Sequence, residues 1–266
     1  DLLALFRNVH RARLLTRGGV LRREPLLRDQ GLTGGAVYWD AQCDDARLTL
    51  ATIRSAHRHS AACANHVRVE ALEKAGGRVR GATLVDLLGG ARFAVRAHSV
   101  VNATGPWTDA FRRLDDPAAA PLLRPTKGVH VVVARSRIGN AGAVTLTSPI
   151  DGRVMFVLPW GSRSVVGTTD TDTDESPDRV APSPEDVVYL VRSANAIFPN
   201  ARLQLDDVVA AWAGLRPLLR GGGESTASVP REHRIEESPS GLLSIAGGKL
   251  TTYRVMAEQV VDRVAL

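Results

Sequence analysis

The chain has 266 residues, 44% apolar and 23% charged, the make-up of a globular protein with room for one large domain or two smaller ones. Its net charge is +6, yet arginine is spread along the chain and aromatics are only 5%, so the basic, aromatic-interleaved stripe of a nucleic-acid binder is missing. No run of about 18 apolar residues occurs, which excludes a membrane-spanning helix, and Arg7, Arg11 and Arg13 break the one apolar stretch near the start, which argues against a secretory leader.

Residues 2–30 are expected to form short helices ending in a hinge, their basic side chains facing solvent or an anionic membrane surface. Residues 33–40 (TGGAVYWD) read as an extended hairpin arm, because Gly34-Gly35 precede a β-prone run. Asp44 and Asp45 cap a predicted helix over 46–64. Two strands follow, at 67–72 and 79–86, around a Gly76-Gly77 turn. A third strand near 92–103 ends in Asn102-Ala103-Thr104-Gly105-Pro106-Trp107, with Pro106 suited to the first turn of another helix. From 121 to 169 the texture turns to β, with strands at 129–133, 143–147, 153–160 and 164–169 and turns such as Asp151-Gly152, the pattern of an antiparallel sheet. A helix at 184–198, a strand at 207–213, the Gly221-Gly222-Gly223 loop and a strand at 242–246 complete the series. The last strand runs through Gly247-Gly248-Lys249-Leu250-Thr251-Thr252 into a helix whose Tyr253, Met256, Ala257, Val260, Val261 and Val264 share one face. The fold class is mixed α/β with an inserted antiparallel sheet.

That final turn is the strongest chemical signal. Unpaired amides and a positive dipole at a helix start, glycines that let a ligand reach the main chain, and Lys249 suit an anion, or a ring that becomes anionic. A P-loop fails, since Leu243 stands at the first glycine and Leu250 at the Ser/Thr position. No G-x-G-x-x-G follows a strand. Asp170, Asp172 and Asp174 alternate as in a calcium loop, but Glu175 replaces the turn glycine and Ala181 the closing glutamate. His57, His59, Cys63 and His66 match no zinc spacing, and two cysteines (Cys43, Cys63) suit free thiols in a reducing compartment. His130 alternates with Val129 and Val131 and so lies on the opposite face from both. It could accept a proton there, although a satisfied strand histidine is the commoner outcome.

Six segments in order, NATGPW (102–107), KGVHVVV (127–133), VLPW with VGTTDTD (157–160, 166–172), AGLRPLL (213–219), PREH (230–233) and GGKLTTYRVMA (247–257), resemble FAD-dependent glycerol-3-phosphate dehydrogenases of the D-amino-acid-oxidase-like superfamily. The resemblance implies a partial FAD-binding Rossmann-like domain (41–119 and 206–266) and a substrate domain built on the antiparallel sheet (1–40 and 120–205). It implies FAD contacts from Asn102, Ala103, Thr104, Gly105, Pro106, Trp107, Gly247, Gly248, Lys249, Leu250, Thr251 and Thr252. Arg216, Arg231 and Lys249 resemble the family's substrate-binding cations, and His130, Arg216 and Lys249 its catalytic set; Lys249 could equally touch phosphate or flavin. Guanidinium forks suit a phosphate ester, although Pro230 departs from the serine or threonine usual before Arg231. The implied reaction converts sn-glycerol 3-phosphate to dihydroxyacetone phosphate, with electrons passed to a quinone. The expected setting is cytoplasmic, peripheral on the inner face of the cytoplasmic membrane, as a homodimer. The family's opening dinucleotide turn and its C-terminal helical domain are not found, so a fragment or a truncated gene is expected. An amino- or hydroxy-acid oxidase and a non-catalytic remnant remain as rival readings.

Overall fold

A computed structural model describes residues 9–221 and 232–265. In chain order its elements are β1 (Arg13–Thr16), α1 (Arg17–Arg23), β2 (Gly34–Val37), α2 (Asp45–Arg58), β3 (Val67–Ala75), β4 (Arg78–Asp86), β5 (Arg92–Arg96) and β6 (Val100–Asn102). After a 3-10 turn at Gly105–Trp107 come α3 (Thr108–Asp115), β7 (Leu123–Ala134), the single turn α4 (Arg135–Ile138), β8 (Val144–Thr147), β9 (Val154–Trp160), β10 (Arg163–Gly167) and the two-residue β11 (Thr171–Asp172). The rest is α5 (Pro184–Ile197), β12 (Val208–Leu219), β13 (His233–Glu237), β14 (Leu242–Gly247), a 3-10 turn at Leu250–Thr252 and α6 (Tyr253–Ala265). Contacts divide the chain into two discontinuous units: the described parts of 1–64, 130–168 and 183–211, and those of 65–129, 169–182 and 212–266.

The first unit is organised by antiparallel strands. β10 pairs with the second half of β7 (Val166 opposite Val131) and with β9 (Val166 opposite Val157), and β9 pairs with β8. Alternation sends Val131, Val133, Val157 and Val166 into the core, joined by Leu190, Val191, Ala194 and Ile197 of α5. That helix starts where its sequence says it should: the Ser183 hydroxyl accepts from the Asp186 amide, the Asp186 carboxylate accepts from the Ser183 amide, and Pro184 fills the first turn. Two expectations are corrected here. The described part of the segment read as helical includes a strand, β1, because Leu14 and Leu15 pair with Ala36 and Gly35 of β2. Helix α2 stops at Arg58 instead of 64, with Ser60 in the left-handed region at φ 69°, and none of its residues is buried.

The second unit holds two three-stranded sheets, β3-β4-β5 and β13-β14-β6. The strand expected over 92–103 is two strands in different sheets, since β5 pairs with β4 while β6 runs parallel to β14 (Asn102 opposite Ser244). Leu122, Leu123 and Ala246 form a small core against Leu219. The apolar face expected on α6 is only partly used: Val260 is buried and Tyr253 and Met256 are half-buried, but Val261 is 62% exposed and Val264 43%. Among the described residues no helix is long and apolar enough to cross a membrane, and no cluster of metal-binding side chains occurs.

One buried charge ties this unit together. Asp115, at the end of α3, receives the Lys74 ammonium at 2.8 Å and the Ser240 hydroxyl at 2.5 Å. Burial pushes its carboxyl up, but donors from Lys74, Ser238 and Ser240 outweigh that and hold it below the usual carboxylate range. Its stabilising contribution is therefore present above the ordinary carboxyl pKa and lost as pH falls through the lowered folded value. Lys74→Met should cost about 1–2 kcal/mol at neutral pH, because Lys74 is itself partly exposed. Thermal melts of both proteins from pH 7 down to about pH 3 should show the difference shrinking once Asp115 is protonated in each state.

Candidate active site

Strand β14 ends in two glycines at positive φ, Gly247 (75°) and Gly248 (85°). A Cβ on Gly247 would sit 2.5 Å from the Glu232 carbonyl oxygen, so only glycine lets the chain pass this close to that backbone; at Gly248 the nearest atom is the movable Met256 sulfur, and it is the positive φ that favours glycine. The Gly248 amide donates to the Glu232 oxygen at 3.0 Å, which anchors the turn. The next three amides, of Lys249, Leu250 and Thr251, find no hydrogen-bond partner among the described residues. Neither does the Lys249 ammonium, and the whole stretch Lys249–Thr252 is exposed. Adjacent unpaired N–H groups ahead of a 13-residue helix make an acceptor of negative charge.

The neighbouring strand supplies a second open turn. Asn102, fully buried at the end of β6, donates through Nδ2 to the Thr108 carbonyl (3.1 Å) and the Ser244 hydroxyl (3.3 Å). Its Oδ1 accepts from the Thr104 amide and, at 2.7 Å, from the Thr104 hydroxyl. The turn is thereby pinned to β14. Gly105 follows at φ 56° with nothing within 4 Å of a would-be Cβ, so the main chain there is open to a ligand. Ala103 and Trp107 are exposed, Pro106 is half-buried, and the Trp107 indole N–H donates to Asp178 at 3.1 Å. Both glycine turns and the free amides fit a flat cofactor that carries or develops negative charge, such as FAD.

On β7, Val129, Val131 and Val133 are buried while His130 and Val132 on the other face are half-buried, as alternation requires. The His130 ring lies over Gly167, its cross-strand partner on β10: a Cβ at 167 would be 2.8 Å from Nε2 and 2.9 Å from Cγ. In the second unit the Arg216 guanidinium lies over Gly128, with Cζ 2.7 Å from a would-be Cβ. Arg216 donates to the Asp170 carboxylate at 3.1 Å and to the Thr169 carbonyl at 3.2 Å. Two more cations of β7 are paired with the same acidic run. Arg124 forks onto Asp172, lowering that carboxyl, and the buried Lys127 reaches Glu175 at 2.8 Å, lowering it likewise. Of the alternating acids that resembled a calcium loop, Asp170 and Asp172 are counterions of arginines.

The expected site residues therefore fall into groups. Asn102 to Trp107 and Gly247 to Thr252 are joined through Asn102 and Ser244, and Arg216 is joined to the Gly128 segment. No hydrogen bond or ion pair ties Lys249 to the Arg216 group among the described residues. Arg231 lies outside the described residues. Sequence reasoning missed Gly128, Gly167 and Asp170; the matching three-residue spacing of Arg124 and Lys127 against Asp172 and Glu175 was a signal for those two pairs, but none pointed from Asp170 to Arg216.

Comparison with known proteins follows this geometry. The aerobic glycerol-3-phosphate dehydrogenase of Bacillus subtilis is 38% identical over 264 residues, covering 99% of this chain and 47% of its own length. A probable mitochondrial glycerol-3-phosphate dehydrogenase of Caenorhabditis elegans is 41% identical over 94% of this chain and 35% of its own. The chain thus spans half or less of the curated relatives it matches. The structure of the Bacillus halodurans glycerol-3-phosphate dehydrogenase complexed with FAD superposes with a TM-score of 0.86 at 40% identity, covering 95% of this chain and 49% of that one. Glycine oxidase from Geobacillus kaustophilus shares the fold at a TM-score of 0.65 and 24% identity, over 97% of this chain and 64% of that one. The model of the FAD dependent oxidoreductases matches residues 1–263, and the chain belongs to that family.

Proposed function

We propose that this chain is the substrate-sheet and C-terminal FAD-domain portion of an enzyme that oxidises sn-glycerol 3-phosphate to dihydroxyacetone phosphate. The observation that carries the reading is identity near 40% to proteins of that name along almost the whole chain, with a matching fold. FAD, when bound, supplies the two-electron acceptor for the substrate C2 hydride. Asn102 to Trp107 and Gly247 to Thr252 would hold it, with the amides after Gly248 meeting negative charge. Arg216, Arg231 and Lys249 would bind the phosphate ester, which carries nearly two negative charges at neutral pH. His130 would accept the C2 hydroxyl proton at an imidazole nitrogen. A quinone as onward acceptor, peripheral attachment at the inner face of the cytoplasmic membrane and a homodimer extend the same resemblance.

Adding sn-glycerol 3-phosphate to the complete, flavin-loaded enzyme that contains this chain should bleach the oxidised flavin absorption, and inorganic phosphate but not acetate should inhibit. Retention of the oxidised spectrum under anaerobic excess substrate would falsify the assignment.

A further inference from the structure

We propose that Asp170 is a positioning residue for Arg216, and that Asp170, Thr169 and Gly128 form a berth which aims this guanidinium before substrate arrives. The inference rests on the reading of Arg216 as a substrate-binding cation. Three observations carry it. First, the guanidinium lies face-on to the β7 backbone: Cζ and Nη1 are both 2.7 Å from a would-be Cβ on Gly128, with Nη2 closer still. Any side chain at 128 would occupy that space.

Second, its two terminal nitrogens are each directed by a different acceptor, Nη1 by the Asp170 carboxylate and Nη2 by the Thr169 carbonyl. Two donors of the five on a guanidinium fix the plane and its rotation. Third, the acceptors are held independently of Arg216. Thr169 is 2% exposed and its hydroxyl accepts the Val129 amide at 3.0 Å. Two residues beyond Asp170, Asp172 and then Glu175 fasten the same run to Arg124 and Lys127 of β7.

A carboxylate beside an anion-binding arginine weakens the attraction for phosphate, so its presence needs a reason other than charge. Arginine has a long stem with many rotamers, and ordering it in advance removes a cost that substrate binding would otherwise bear. Orientation of the reacting groups is what gains. Nothing in the sequence alone marks Asp170 for this task, since it reads as one acid among several.

The test uses Asp170→Asn and Gly128→Ala in the complete, flavin-loaded enzyme that contains this chain. Asp170→Asn should lower kcat for sn-glycerol 3-phosphate by about 10- to 100-fold through lost aim. It should also leave inorganic phosphate binding unchanged or tighten it by about threefold, because a negative charge is gone. Gly128→Ala keeps the charge and removes the berth, so kcat should fall without tighter phosphate binding. An unchanged kcat in either variant, or a fall that only parallels lost flavin and a lowered thermal midpoint, overturns the proposal. If the parent protein itself shows no turnover, the glycerol phosphate reading fails and the berth is judged without substrate. The Arg216 guanidinium should then give restrained, slowly exchanging 15N–1H signals in the parent and averaged ones in both variants. Averaged signals in the parent would refute it.

Discussion

Replacing His130 by asparagine is expected to slow substrate oxidation by about 10²- to 10⁴-fold, the usual worth of a positioned general base. Flavin content and thermal midpoint should stay close to those of the parent. The second expectation follows from the site of the residue: His130 is half-buried on the face of β7 opposite the valine core, so its loss opens no cavity among Val129, Val131 and Val133. Its aim depends on a missing side chain across the ladder. Gly167 faces it on β10, and a Cβ there would intrude to 2.8 Å from Nε2. An imidazole has only two torsions with which to move away, so Gly167→Ala should lower kcat in the same direction with His130 still present. A His130→Asn protein that kept more than half of the parent kcat would remove this histidine from the proposed mechanism, whatever the second variant did.

Gly247→Ala is expected to lose about 2–4 kcal/mol of stability together with flavin retention. Two costs combine there. The residue sits at φ 75°, where an L side chain is strained, and the new methyl carbon would be 2.5 Å from the Glu232 carbonyl oxygen. That oxygen is backbone and cannot swing aside, and it already accepts the Gly248 amide. Gly152 provides the control, since it shares φ 75° but has nothing within 4 Å of a would-be Cβ. Gly152→Ala should cost only the conformational part, about 1–2 kcal/mol. At about 2–4 °C per kcal/mol, differential scanning calorimetry separates the two. Equal midpoints for both variants would mean that the collision with Glu232 is relieved at no cost.

Much of the architecture was legible because the periodic segments are long. The α5 start is spelled out by Ser183, Pro184 and Asp186, and the hairpin strands by runs of valine between turns. What escaped lacked contrast. β13 reads His-Arg-Ile-Glu-Glu, with a single apolar residue, and forms because Ile235 has Ile245 of β14 opposite it. β7 begins at Leu123, six residues before its valine run, across Pro125, and β12 continues through Pro217 to Leu219; proline in both places argued for ending the strand. The boundary between β5 and β6 was hidden for the opposite reason, since both are β-prone and only their partners differ.

The site divides along similar lines. Gly247, Gly248 and Lys249 announce themselves because two glycines and a lysine between a strand and a helix are unusual. Gly128 and Gly167 do not, because their importance lies in the side chains of Arg216 and His130 that occupy the space above them. A glycine inside a strand carries that information only once its cross-strand neighbour is known. Asp170 was obscured by its company, since with Asp172 and Asp174 it reads as an alternating acidic run, and the protein cations that pair with this run are distant in sequence.

The bonding of Asn102 has a consequence for which replacements this position tolerates. Its amide nitrogen serves the Thr108 carbonyl and the Ser244 hydroxyl, while its oxygen serves Thr104. Hydrolysis of that one amide to a carboxylate would leave an anion facing the Thr108 oxygen, in a place water does not reach. Aspartate, nearly identical in shape, is therefore a poorer substitute here than its size suggests, and slow chemical ageing at a single nitrogen would loosen the turn from the strand beneath it.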